Sequence, residues 1–221
     1  MTRRALVTGG SRGIGHAIVD RLRLSGVEVF APTRDELDLA DPEAIDDFVA
    51  RLEEPFDILV NNAGVNFPDP VVQYETAKWK QTLEVNLTAP FLLSRGLAPA
   101  MVDQGWGRIV NILSCYSFVS RGGRSAYTAS KAGLLGFTRS LAIELAPHGV
   151  VVNGVAPGFV ATEMTAKNNT ADAIREIEAE LPIGRLGRPA EIADAVNFLV
   201  GETSTYIVGH VITVDGGFLL Q

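Results

Sequence analysis

The 221-residue sequence has a single cysteine, Cys115, which excludes an intramolecular disulfide and a cysteine-rich metal framework. Its three histidines, His16, His148 and His210, are scattered without ligand spacing, so no metal site is expected. Basic runs are missing as well. With a net charge of −7 this argues against nucleic acid or an anionic membrane surface as a partner. No apolar stretch reaches the roughly 18 residues of a membrane span. The opening "MTRRALVTGG" has neither the apolar core nor the cleavage site of a signal peptide, and a soluble, cytoplasmic protein is expected. Linkers, repeats and low-complexity tracts are also lacking, so residues 1–221 read as one domain.

What the chain does contain is alternation. Short apolar, β-branched runs at 5–8, 27–31, 57–63, 108–113, 150–156 and 210–214 read as strands bounded by glycine, proline or asparagine. Between them lie helix candidates: Ile14–Leu24, Pro42–Leu52, Thr76–Met101, Ala126–Glu144 and Ala190–Val200. Repeated strand–helix–strand order predicts an α/β fold, a Rossmann-type doubly wound parallel sheet with helices on both faces. The interval from 31 to 57 is short. "PTRD" alone separates the second strand from "ELDLADPEAI", which looks like the end of a third strand entering a helix. Four residues cannot make a parallel crossover, so the third strand is either missing or does not pair as a normal edge.

"VTGGSRGIG" (7–15) follows the first strand and opens the first helix, where free N–H groups at a positive helix end suit a dinucleotide pyrophosphate. Glycines at 9, 13 and 15 permit a tight turn and close approach of backbone to phosphate. Where NAD sites usually carry an acid after the second strand, this chain has Ala31, Pro32, Thr33 and Arg34. Arg12 points toward the same ribose. Two guanidinium groups and a hydroxyl suit a 2′-phosphate, although Asp35 stands beside Arg34, so NADPH (NADP+) is favoured over NADH.

"SAYTASKAG" (125–133) sets Tyr127 and Lys131 one helical turn apart. A nearby ammonium favours the phenolate, so the pair reads either as an acid–base device or as two polar groups on an exposed helix.

Taken in order, these motifs resemble the short-chain dehydrogenase/reductase family along nearly the whole chain. "TGGSRGIG" (8–15) is similar to its cofactor loop, "NNAG" (61–64) to its strand motif, "EVNL" to its helix asparagine and "YTASK" (127–131) to its Tyr-x-x-x-Lys. "NILSC" places Ser114 13 residues before Tyr127; "PGFVATEM" (157–164) and "VDGG" (214–217) match further segments. The resemblance implies an NADPH-dependent carbonyl reductase acting on a small molecule, with Asn86, Ser114, Tyr127 and Lys131 as the catalytic set. Tyr127 would exchange the proton, Lys131 would lower its pKa and hold the ribose, and Ser114 would steady the carbonyl oxygen. Asn86 would hold a water that links Lys131 to solvent, or serve as a core amide. For the cofactor it implies Gly9, Ser11, Arg12, Ile14 and Gly15 at the phosphates and ribose, with Thr33 and Arg34 at the 2′-phosphate. Asp38 and Leu39 would meet adenine, and Asn61, Ala63 and Gly64 would line the nucleotide. Pro157, Gly158, Val160 and Thr162 would approach the nicotinamide.

The family's members usually assemble through the helices of Asn86 and Tyr127, which implies a homotetramer or homodimer. An NAD-linked alcohol dehydrogenase and a non-catalytic cofactor-binding regulator are the alternatives. Residues 160–189 resemble a substrate-covering lid with a short amphipathic helix. Arg121 and Arg124, in the loop before Tyr127, either meet an anionic substrate or are simply solvated. Asp103, with no lysine in "MVDQGWG" (101–107), weighs against an acyl-carrier protein, leaving a ketone, sugar or polyketide carbonyl open.

Overall fold

Short runs rich in valine, isoleucine and leucine assemble into one six-stranded parallel sheet in the computed structural model, which describes residues 2–220. Its strands are β1 (Arg4–Val7), β2 (Glu28–Phe30), β3 (Ile58–Asn61), β4 (Gly107–Ile112), β5 (Val150–Pro157) and β6 (Val211–Val214). β3, β4 and β5 are buried along their whole length, which is why they read as continuous runs rather than as alternating ones. One face is covered by α1 (Gly13–Leu24) and α8 (Pro189–Val200), through Ile18, Leu22, Ile192 and Val196. The other is covered by α2 (Pro42–Ala50), α4 (Ala89–Gln104) and α5 (Ser125–Leu145), through Ile45, Leu93 and Ala142. The expected doubly wound α/β architecture is the one observed.

Strand order is β2-β1-β3-β4-β5-β6, so the winding reverses between β1 and β3. Loops leaving those two strands diverge, and a crevice opens at their carboxyl ends. The expected remnant of a third strand in "ELDLADPEAI" is not there: residues 31–40 run as turns and open chain. The side chains explain this. Glu36 reaches back to the Thr33 N–H at 2.7 Å and Asp38 to the Ala40 N–H at 2.9 Å. Asp41 then caps α2 by accepting from Glu43 and Ala44, with Pro42 in the first turn. β2 is consequently an edge strand, and α2 carries the chain across β1 to β3.

The single helix expected over Thr76–Met101 is divided into α3 (Thr76–Leu83), a π-turn at Glu84–Thr88, and α4. Pro90 contributes to the break, because it has no N–H to give the carbonyl of Asn86 four residues earlier. The lid segment holds two helices rather than one, α6 (Glu163–Asn168) and α7 (Ala171–Glu180). Its base is stapled by backbone bonds, Ala161 N–H to Gly187 O and Gly187 N–H to Phe159 O, both 2.9 Å. No described helix is long and apolar enough to cross a membrane.

Candidate functional site

A cleft of about 740 Å³ lies at the carboxyl end of the sheet, over the β1/β3 reversal. Its floor is the glycine loop. Gly9 and Gly13 sit at φ +66° and +55°, and a Cβ on Gly15 would lie 2.1 Å from the Gly9 carbonyl oxygen. Helix α1 begins here without a side-chain cap and without an acid in its first turn, so its leading N–H groups are turned over to a ligand. Gly13 opens toward Thr162, where an added Cβ would stand 3.4 Å from the threonine methyl, so phosphate can approach backbone there. These features fit a dinucleotide.

Two residues not singled out from the sequence hold this floor. Asn62, the second asparagine of "NNAG", donates to the carbonyls of Thr8 and Gly9 at 2.9 and 3.2 Å. The Thr8 hydroxyl accepts from the Asn62 and Ala63 N–H groups, both at 3.0 Å. Asn62 lines the cleft, and Asn61, expected to do so, does not. Strand alternation turns Asn61 into the core, where it donates to Asn111 at 2.8 Å; Asn111 in turn donates to Thr138 on α5. The paired asparagines were the available signal, and the period of the strand decides which of them faces outward.

Helix α5 brings Tyr127 and Lys131 to the cleft alongside Ser114 from the end of β4. Small residues let the helix approach closely: Ala126 and Ser130 are fully buried, and a Cβ on Gly133 would meet Leu87 at 2.9 Å. The Ser114 hydroxyl accepts the Tyr116 N–H at 3.2 Å and lies against the Tyr127 phenol and, at 3.8 Å, Cys115 Sγ. Leu113, by contrast, is packed into the core with Leu134 and Ala156. Lys131 donates to the Ile112 carbonyl at 2.6 Å and stands 5.9 Å from the centre of the Tyr127 ring. Burial drives its pKa down to about 8.

Lys131 was expected to lower the Tyr127 pKa; in this geometry burial dominates. The phenol is pushed up to about 12, against the pull of the Ser114 hydroxyl and, more weakly, of the Arg124 charge. Cys115 is likewise raised by burial, to about 11, which leaves it an inert thiol.

Asn86 is fully buried in the π-turn and does not line the cleft. Its carboxamide clasps Val65, accepting from the N–H at 2.8 Å and donating to the carbonyl at 3.0 Å. It also donates to Ser130, whose hydroxyl binds the Tyr127 carbonyl at 2.7 Å. Gly64 lies between this amide and Lys131: a Cβ there would stand 3.3 Å from Asn86 Oδ1 and 3.8 Å from Lys131 Nζ.

The remaining expected residues all border the cleft, but the outer end is more acidic than the sequence suggests. Arg12 pairs with Glu163 of α6 at 2.9 Å, and Arg34 with Asp38 at 3.2 Å. The carboxylate of Glu36 accepts both the N–H and the hydroxyl of Thr33, which holds its pKa below the usual range. Asp38, kept low chiefly by the Ala40 N–H, borders the same end with Leu39. Glu36 was not marked from the sequence. Its signal was an acid three residues after a threonine in the loop that follows a strand.

At the inner end Pro157, Gly158 and Val160 form the wall below the lid. Gly158 has no room for a side chain, since a Cβ would lie 2.7 Å from the Asp215 Cα. Gly216 and Gly217 of "VDGG", both at positive φ, pack against Ile183 and Pro182 at the base of the lid. Arg121 reaches across to Glu180 of α7 at 2.6 Å.

Residues 32–219 match a family model described as Enoyl-(Acyl carrier protein) reductase. The 3-oxoacyl-(acyl-carrier-protein) reductase FabG of Aquifex aeolicus (strain VF5) is 39% identical over 238 residues, covering 96% of this chain and 96% of that protein. The solved structure of 4-hydroxyisoleucine dehydrogenase complexed with NADH superposes with a TM-score of 0.95 and 28% identity over 100% of both chains. Gluconate 5-dehydrogenase from Burkholderia cenocepacia J2315, in complex with NADP and tartrate, superposes with a TM-score of 0.91 and 31% identity, covering 99% of this chain and 96% of that one.

Proposed function

Because this chain belongs to the short-chain dehydrogenase/reductase family and is a nicotinamide-dependent oxidoreductase, we propose that it is an NADPH-dependent reductase that converts a carbonyl into an alcohol, with Tyr127 as proton donor. The observation that carries this reading is the convergence of Tyr127, Ser114 and Lys131 at one end of the cleft, with the phenol held protonated through neutral pH. A nicotinamide held between the glycine loop and residues 157–160 would supply hydride to the carbonyl carbon. Tyr127 gives its proton to the carbonyl oxygen, and Ser114 donates a hydrogen bond to that oxygen as charge gathers on it. Lys131, anchored on Ile112, has its other two protons for the ribose hydroxyls and the phenol oxygen. Asn86 acts as a positioning residue, tying Val65 and, through Ser130, the backbone of Tyr127. A water relay from Lys131 would rest on the Asn86 carbonyl, which Pro90 deprives of its helical donor.

A second reading, NAD-linked alcohol oxidation by the same residues, has one observation in its favour. Asp38 borders the outer end of the cleft, where an acid could take a ribose 2′-hydroxyl, and Glu36 lies behind it on Thr33. NADPH is preferred because Arg12 and Arg34 are both exposed, and a phosphate can draw them from their surface partners at little cost.

Replacing Tyr127 by Phe tests the catalytic claim. Turnover of a ketone with NADPH is expected to fall about 10²–10⁴-fold, while calorimetry finds cofactor binding unchanged. A variant as active as wild type would remove Tyr127 from the chemistry.

A further inference from the structure

The substrate end of the cleft contains polar groups with nothing to bind. Arg124 caps α5 with its backbone only, and its side chain has no hydrogen bond or ion pair among the described residues. Its Nη1 is nevertheless shut away from solvent. Tyr116 is 5% exposed, and its hydroxyl also has no partner. Asn66, on the opposite wall, keeps a buried Oδ1 unpartnered. All three side chains line the cleft that holds Tyr127. Leaving a guanidinium nitrogen and a phenol hydroxyl out of solvent and unpaired is costly, and such groups persist where a ligand completes them.

Spacing and walls give the direction. Arg124, at the N-cap of α5, precedes Tyr127 by three residues and Lys131 by seven, and all three border the same cleft. Tyr116 stands edge-on to Tyr127, with ring centres 6.2 Å apart, and equally to Phe159 at 6.2 Å. Arg124 is close enough for its charge to act on both phenols. Nearby, Arg121 is committed to Glu180 and Lys78 to Glu75, while Lys167 of α6, also on the cleft, is exposed to solvent. Gly123, at φ +74°, lies against Asp69 and accepts its N–H at 3.1 Å, which fixes the loop that presents Arg124.

Resting on the reductase reading above, we infer that the substrate is an oxo acid, whose carboxylate is gripped by Arg124 and the Tyr116 hydroxyl while its carbonyl lies at Tyr127 and Ser114. A guanidinium fork binds a carboxylate through two parallel bonds, which also sets the distance between the acid group and the reacting carbonyl. Such a substrate is free and small. A thioester-linked acyl chain presents a neutral group at that place and leaves Arg124 unmatched.

The test uses six probes: 3-oxobutanoate, 4-oxopentanoate and 5-oxohexanoate, and the methyl ester of each. They are titrated calorimetrically into the protein saturated with whichever oxidised cofactor it binds, and assayed for turnover with the reduced one. In wild type at least one acid is expected to bind roughly ten- to a hundred-fold more tightly than its ester, the range of a charge-assisted hydrogen bond. Arg124→Gln is expected to abolish that preference by weakening the acid far more than the ester. Arg124→Lys, which keeps the charge without the fork, should recover part of it.

Acid and ester binding alike, a preference that survives Arg124→Gln, or no binding of any probe would each overturn the inference. The two readings fail separately. An Arg124-dependent acid preference without Tyr127-dependent turnover brings down the catalytic assignment alone, and Tyr127-dependent turnover without acid preference brings down the oxo-acid assignment alone.

Discussion

At the scale of single residues, the site is governed by what burial does to charge. Lys131 has a pKa of about 8 in the folded chain and about 10.5 when exposed. Between those values the unfolded chain binds a proton that the folded one lacks, so this residue makes stability rise with pH across that window. Without cofactor, the gain from pH 8 to 9.5 is expected to be about 1–2 kcal/mol. Cys115 acts in the opposite direction above pH 9, because its folded pKa is raised to about 11. The informative measurement is therefore the difference in urea midpoint between wild type and Lys131→Met across that range. A constant difference would mean that the ammonium is solvated.

The same scale decides cofactor choice. Arg34→Ala is expected to weaken NADPH about ten-fold or more and to leave NADH unaffected in calorimetry. Glu36→Gln should shift preference further toward NADPH by removing a negative charge beside the 2′-phosphate. Tighter NADH binding in wild type would favour the oxidative reading.

At the scale of elements, the lid is a closed excursion rather than a free flap. Its base is the backbone staple at Ala161 and Gly187, and Arg185 reinforces it with a two-pronged grip on Glu191 at 2.7 and 3.0 Å. The Arg188 N–H adds a third bond to the same carboxylate, whose pKa falls to about 2. A carboxylate with a depressed pKa contributes above its ordinary range near 4.5 and is lost only as pH falls toward 2. The lid base should accordingly hold through mildly acidic pH. Glu191→Gln is expected to speed tryptic cleavage after Lys167 and Arg175 several-fold at neutral pH, and an unchanged digestion rate would locate the lid's stability elsewhere.

Elements were also where the sequence was most and least legible. The apolar runs of β3, β4 and β5 and the glycine loop declare themselves, because burial and positive φ restrict which residues fit. The π-turn at Asn86 does not, since Pro90 reads equally well as an ordinary first-turn proline. The acid partner of Arg12 was hidden for another reason. Glu163 lies 151 residues from Arg12, and no local pattern announces such a pairing.

At the scale of the whole molecule, several large apolar side chains remain on the surface of the helices beside the site. Phe91 on α4 packs edge-on against Phe137 of α5 with ring centres 6.0 Å apart, and Ile143 on α5 is 77% exposed. Leu220, near the carboxyl terminus, is 88% exposed. A dimer or tetramer formed across α4 and α5 would cover the first group, and light scattering at micromolar concentration should give a mass at least twice that of one chain. Phe91→Glu together with Ile143→Glu is expected to lower that mass, and a monomeric wild type would refute the assembly.

Where a third strand would stand, residues 31–40 form an open outer wall that contributes nothing to the hydrogen-bonded ladder of the sheet. Leu37 and Pro32 are buried, and Ala31 and Leu39 pack against the two core clusters, tying the segment to the interior. Thr33, Arg34, Glu36 and Asp38, proposed above to set the preference between nicotinamide cofactors, are therefore carried on a segment outside the ladder of the sheet. On that reading, descent or design can rewrite the redox currency of this enzyme within a handful of neighbouring codons, without touching a strand of the sheet.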